Sequence, residues 1–224
     1  MSNYSKPRRI VTRSGGILRG IFASTKYKTQ IKWEGGIEKD AVAIFEFSHR
    51  ISNVTSQPFK STFMHVGKQT SRTPDFLIET DSEKIIVECK PIDWLDDPQM
   101  QNHMEIGEQH FESDGYRYFI VTDEMLRRGH ALTNARLLLP YRMRHLQRRD
   151  ETARIHYQLE ELKKKFPEPN FSNSVSYLNS EVDVLVMMAS GLLYFNFQVE
   201  IQDQTELFYA PTLENHDAAS FLFG

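Results

Sequence analysis

The stretch from Pro74 to Pro91 constrains the fold most. It reads as an acid at the head of a short apolar run (Asp75, then Phe76 to Ile78), a polar turn, and a strand Ile85-Ile86-Val87-Glu88-Cys89-Lys90. Side chains at i and i+2 of a strand share a face, so Ile86, Glu88 and Lys90 point one way and Ile85, Val87 and Cys89 the other. The carboxylate of Glu88 and the ammonium of Lys90 are then aimed at one spot beside Asp75.

Two carboxylates can hold a hard divalent cation, and a lysine beside them can steady an attacking water or a developing negative charge. An acid, a spacer and Glu-x-Lys form the PD-(D/E)xK pattern of metal-dependent nucleases. The pattern is short and recurs by chance, and Glu-x-Lys on an exposed strand is usually a solvated pair. Its weight therefore rests on the surrounding chain.

Residues 34–47 read as an amphipathic helix in which Glu38, Ala41, Val42 and Phe45 fall at i, i+3, i+4 and i+7. Glu38 lies at the end of an apolar stripe, where a lone carboxylate is costly unless paired or metal-bound. Glu34 is its rival one turn earlier on the same stripe, where a carboxylate is also favoured by the dipole of the first helical turn; Glu38 is preferred, with Glu34 as a second contact. A strand then leads to Gln57-Pro58, where proline limits the stretch to an edge or a strand end. Past Lys90-Pro91 the spacing predicts a helix from Pro98 to Ser113, with Gly107 allowing close packing, and a buried strand Tyr118-Phe119-Ile120-Val121. Strand, helix, strand implies a parallel crossover. The order helix, strands, crossover is that of a restriction-endonuclease-like core, an α/β fold with a mixed sheet flanked by helices. Asp123 and Glu124 read as the opening of a short helix outside the site.

Net charge is only −3, so bulk charge says nothing of nucleic acid. Local charge is uneven. Between Met1 and Trp33 stand Lys6, Arg8, Arg9, Arg13, Arg19, Lys26, Lys28 and Lys32 with no acid, and a second basic block runs from Arg127 to Arg154. Guanidinium forks suit phosphate, although such blocks also serve as solvated faces or as docking sites for acidic proteins. Arg8, Arg9, Arg13, Arg19, Lys26 and Gln57 are the DNA-contact candidates.

A composition shift near Tyr141 to Asp150 sets the expected domain boundary: 1–145 as a catalytic domain with a basic N-terminal arm, 146–224 as a small helical domain. Helices are predicted over 154–166, 170–179 and 181–190, followed by a hairpin of Leu193–Ile201 with Glu206–Tyr209, a winged-helix-like order. Cys89 is the only cysteine, which excludes an intrachain disulfide and a cysteine zinc cluster. With no long apolar run at the N-terminus, neither a signal peptide nor a membrane helix is expected, and a reducing bacterial cytoplasm fits. There is no metal-binding histidine spacing, glycine-rich phosphate loop or nucleophile elbow.

Taken in order, Val11-Thr12-Arg13-Ser14-Gly15, Arg19-Gly20, Glu34 with Ile37-Glu38, Gln57-Pro58, Thr73-Pro74-Asp75-Phe76 and Val87-Glu88-Cys89-Lys90-Pro91 resemble the TnsA family, the endonuclease subunit of heteromeric cut-and-paste transposases. The likeness covers roughly residues 8–123, and its force lies in the order and spacing of the motifs together. It implies a Mg²⁺- or Mn²⁺-dependent nuclease that cuts the 5′ ends of a transposon. Its implied partners are transposon-end DNA, a TnsB-like DDE transposase and a TnsC-like AAA+ ATPase. By position, Glu38, Asp75, Glu88 and Lys90 match the family's catalytic groups. The metal would be held by Asp75, Glu88 and the backbone carbonyl of Cys89, with Glu38 contacting it directly or through water. Two rivals stand beside this expectation: a stand-alone restriction or repair nuclease, and a non-catalytic DNA-binding scaffold on the same fold.

Overall fold

A computed structural model describes residues 3–5, 18–142, 149–211 and 216–223. The chain divides into two compact units, one of residues 1–46 and 50–126, the other of 47–49 and 127–224. The second unit thus starts earlier in the chain than the composition shift near Tyr141.

The first unit is built on a four-stranded mixed sheet in the order β4 (Asn53–Ser56), β7 (Phe76–Glu79), β8 (Lys84–Lys90), β9 (Arg117–Thr122). The first three strands run antiparallel to their neighbours, and β8 pairs with β9 in parallel. The parallel pair needs a crossover, supplied by α2 (Pro98–Ser113). Asp97 caps α2 by accepting from the backbone N–H groups of Gln99 and Met100, with Pro98 in the first turn. Ile85, Ile86 and Val87 are buried on both faces of β8, as a central strand requires.

Each face has its own cover. On one, Ile86 packs with Phe111 of α2 and Tyr118 of β9, joined by Leu77 and Phe59. On the other lies Phe76, paired with Val87, meeting Phe45 of α1 (Gly36–Phe45) edge-on at 5.9 Å. Ala41 to Phe45 are all buried. The helix begins at Gly36, later than the apolar period alone predicts, because Gly35 adopts φ +90°. Glu34 is therefore the last residue of β3 (Thr29–Glu34), where it pairs with Arg19 of β2 (Arg19–Ser24) at 3.3 Å. It is a strand-end ion pair, and the first-helical-turn reading of it is corrected. A second small sheet is formed by β1 (Asn3–Ser5), β5 (Lys60–His65) and β6 (Lys68–Arg72).

After α3 (Asp123–Arg127), the second unit contains α4 (Ala131–Arg142), α5 (Arg149–Lys165), α6 (Phe171–Leu178) and α7 (Glu181–Ala189). Ile155, Leu159 and Leu162 of α5 are buried, in agreement with the helical period read from the sequence. Arg154 of α5 and Gln158 both donate to Asp183 of α7, so part of the basic block serves packing of this unit. The expected two-stranded wing does not form. Leu193–Ile201 and Glu206–Tyr209 meet at one antiparallel bridge, Tyr194 with Phe208. Side chains take the backbone groups that a ladder would use. Asn134 donates to the carbonyls of Phe197 and Val199 at 3.1 and 2.7 Å, Asn196 accepts from Gln198 N–H, and Thr205 accepts from Gln202 N–H.

Phe76→Ala should cost the first unit about 3–5 kcal/mol, the scale for emptying a fully buried aromatic site. Urea denaturation of wild type and variant measures it; a loss below ~1 kcal/mol would contradict the packing described.

Candidate active site

Pro74 closes β6, and Asp75 stands immediately before β7, so its carboxylate faces the end of β8. There Asp75 Oδ2 accepts a 2.8 Å hydrogen bond from the Cys89 backbone N–H and lies 3.4 Å from Lys90 Nζ. Lys90 Nζ is also 2.8 Å from Oε2 of Glu88, the other end of the i, i+2 pair. Glu88 is buried, and its Oε1 receives a 3.4 Å contact from Nη1 of Arg72. One ammonium thus bridges two buried carboxylates. Among the described residues no three acid, histidine or cysteine side chains already stand in a metal-holding group, because Lys90 occupies the position between Asp75 and Glu88.

Glu38 approaches from α1. Its Oε2 accepts from the Glu34 backbone N–H at 2.7 Å. Burial and then the charge of Asp75 push its pKa up to about 8, against the pull of that hydrogen bond and of Lys90. Asp75 is raised as well, first by burial and further by Glu88, with Lys90 and the Cys89 N–H opposing. Burial works against the charge of Lys90, but the fields of Asp75 and Glu88 outweigh it and hold its pKa above the ordinary lysine value. The Cys89 thiol is driven upward, mainly by burial and then by Asp75 and Glu38, so it is no nucleophile. Burial is the largest cause of the upward shift at both Glu38 and Asp75, and a neighbouring carboxylate adds to it in each case.

Two groups at this site, Arg72 and His103, were not singled out from the sequence. Arg72 is buried at the end of β6, with Nε and Nη2 lacking a hydrogen-bond partner among the described residues. Gly107 of α2 makes room for it, since a Cβ there would lie 2.2 Å from Arg72 Nη1. His103 of α2 is depressed by burial and then by Arg72, which places its imidazole within the field of the cluster.

Of the DNA-contact candidates, Arg8, Arg9 and Arg13 lie outside the described residues, as does the Val11-Thr12-Arg13-Ser14-Gly15 motif. Arg19 pairs with Glu34, and Lys26 Nζ donates to the Ile51 carbonyl and to Tyr27 Oη. Gln57 is only 6% exposed. It takes φ +42° and donates its backbone N–H to the Asp75 carbonyl at 2.8 Å, while its side-chain Oε1 is buried without a partner among the described residues. The structure thus brings Gln57 to the edge of the acid cluster rather than to the surface.

A mixed sheet with helices on both faces, carrying acids and a lysine where adjacent strands end, is a restriction-endonuclease-like core. Within that class the chain carries a TnsA-family domain: residues 48–123 match the family model described as TnsA-like endonuclease N terminal. The match takes in β4 to β9, Asp75, Glu88 and Lys90, and begins after α1 and Glu38. No curated protein matches the chain.

Glu38 sets a pH dependence for folding. Its pKa is higher folded than unfolded, so the stability it contributes is fully present below about pH 4.5 and is lost as the pH rises through about 8. In chelator-containing buffer, Tm should fall between pH 5 and pH 8, and Glu38→Gln should shrink that fall. An unchanged difference in the variant would remove Glu38 as its source.

Proposed function

We propose that the chain is a Mg²⁺- or Mn²⁺-dependent DNA endonuclease of the PD-(D/E)xK kind, cutting the 5′ ends of a transposon as one subunit of a heteromeric transposase. The observation that carries this reading is the convergence of Asp75, Glu88 and Lys90 at the ends of neighbouring strands inside a TnsA-like endonuclease domain. The TnsA-like domain supports an endonuclease of the transposase type. The metal, the strand cut and the particular partners are the proposal.

The donor set fits a hard cation. Asp75, Glu88 and the Cys89 carbonyl offer oxygen only, and the two carboxylates lie in a buried cluster. When bound, the ion would supply Lewis-acid polarisation of the scissile phosphate and a more acidic water. Glu38 would contact it directly or through water. A second dication in the cluster would favour the ionised form of Glu38, which burial and Asp75 otherwise disfavour.

The other roles belong to the chain. The Cys89 N–H fixes the Asp75 carboxylate, so one oxygen is oriented by the backbone of β8. Lys90 stays protonated, and its ammonium can orient the attacking water or meet the negative charge that grows on the phosphoryl oxygens. Arg72 holds Glu88 from the far side, leaving Oε2 directed at Lys90. The pH behaviour of the cluster also favours metal-linked activity: acids with raised pKa values bind a cation in competition with protons.

The reading names a TnsB-like transposase and a TnsC-like ATPase as partners and transposon-end DNA as substrate. Among the described residues no helix is long and apolar enough to cross a membrane.

The test is cleavage of end-labelled transposon-end duplex with Mg²⁺, with and without the transposase and ATPase. Cutting should require the metal and the partners. Asp75→Asn and Lys90→Ala should each lower the rate by about a hundredfold or more, the scale for losing one such group. Asp75→Asn keeps an oxygen for the Cys89 N–H, so its Tm in chelator should stay within a few degrees of wild type. Cutting that survives EDTA or both substitutions would refute the metal-site reading. Efficient, end-independent cutting by the lone chain would identify a stand-alone nuclease instead.

A further inference from the structure

The β5–β6 ribbon, which leaves the core beside the acid cluster, has a composition that folding does not require. No Asp or Glu occurs between Gln57 and Pro74, while Lys60, His65, Lys68 and Arg72 do. Lys60 and Lys68 are exposed. The base of the ribbon is fixed: Ser61 Oγ and His110 Nε2 of α2 are 2.6 Å apart, Phe63 stacks on the His110 ring at 3.8 Å, and Arg72 is buried against Glu88. The tip is the opposite. Met64 is 66% exposed and Val66 is 85% exposed.

Val66 is also the wrong residue for its backbone. The turn between the strands places Val66 at φ +46° and Gly67 at φ +72°, the left-handed pair of a two-residue hairpin turn. Asn or Gly fits the first of these positions; a β-branched residue is strained there. At Val66 the chain keeps an apolar side chain that is strained and almost wholly exposed among the described residues. Such a residue is explained by what the tip meets.

We propose that the β5–β6 ribbon enters a groove of duplex DNA next to the cut, with Lys60 and Lys68 on the phosphates and Met64 and Val66 as apolar contacts inside the groove. This rests on the reading of the acid cluster as a DNA nuclease and adds the element that positions the duplex. Charge decides the occupant: an acid-free ribbon with exposed ammonium groups along its length complements a polyanion. Beyond Thr62, where the pairing with β1 ends, the ribbon is two-stranded and fits the major groove in width, and apolar side chains at a tip are used to wedge between base steps. The six residue-to-residue steps from Val66 to Arg72 span about 20 Å in extended chain, so the tip reaches about six base pairs from the cluster.

Two measurements test it, both on the full chain with end duplex and the transposase. First, p-benzoylphenylalanine in place of Val66 should crosslink to DNA on irradiation, about six base pairs from the phosphate that is cut. Second, Lys60→Ala with Lys68→Ala should weaken binding about tenfold and lower the slope of log affinity against log salt by about 2. Val66→Asn is the control that separates folding from binding: it should raise Tm by about 3 °C, as relief of turn strain does, while cleavage falls several-fold. The inference is overturned if wild type cuts the duplex while the crosslink goes only to protein, or while the double-alanine chain keeps its salt slope. If wild type neither binds nor cuts the duplex, the nuclease reading itself fails and the ribbon inference falls with it.

Discussion

The bridge made by Lys90 between Asp75 and Glu88 is the interaction on which the architecture turns. Burying two carboxylates costs far more than burying apolar groups, and one ammonium at 2.8 and 3.4 Å recovers only part of that. The rest of the unit is arranged around the deficit. The Cys89 N–H is given to Asp75, Arg72 is buried against Glu88, and Glu38 is left with a pKa near 8. Each is a local compromise around a site with too much negative charge for its burial.

The sheet supplies the precision. Asp75 and Lys90 come from the adjoining ends of β7 and β8, which pair through Phe76 with Val87. A slip of one residue in that register would turn Glu88 and Lys90 to the opposite face, toward Phe45 and away from Arg72. The register is held by apolar side chains on both faces: Phe76 and Val87 toward α1, Leu77 and Ile86 toward α2. The hydrophobic core thus fixes the positions of the polar groups, while the polar groups themselves work against its stability.

How far the chain could be read beforehand follows from the range of each interaction. The strand of Glu88 and Lys90, the helix Pro98–Ser113 and its parallel crossover were legible because their signals are periodic and local, with Asp97 and Pro98 marking the helix start. The nearness of Asp75 to that strand followed from a short turn. Glu34 was misplaced because helical period runs on past a boundary that only the left-handed Gly35 sets. The wing was misread because alternating apolar residues do not reveal that Asn134, distant in sequence, takes the carbonyls of Phe197 and Val199. Arg72 was missed for a related reason: in sequence it is one basic residue on a polar strand, and only the close approach of α2 at Gly107 buries it.

Arg72 ties the ribbon of the first unit to the acid cluster. Through β6 it is part of the ribbon that projects into solvent, and through its guanidinium it is part of the acid cluster. Its room is set by α2, where no side chain larger than that of Gly107 is accommodated without moving the guanidinium. Displacement of the ribbon therefore cannot leave Glu88 untouched, since Glu88 would lose the Arg72 contact while Lys90 remained. A ribbon held in place by its contacts would keep Glu88 oriented, and a loose one would not. Anchoring the exposed element by a charge inside the site couples the position of the ribbon to the geometry of the cluster.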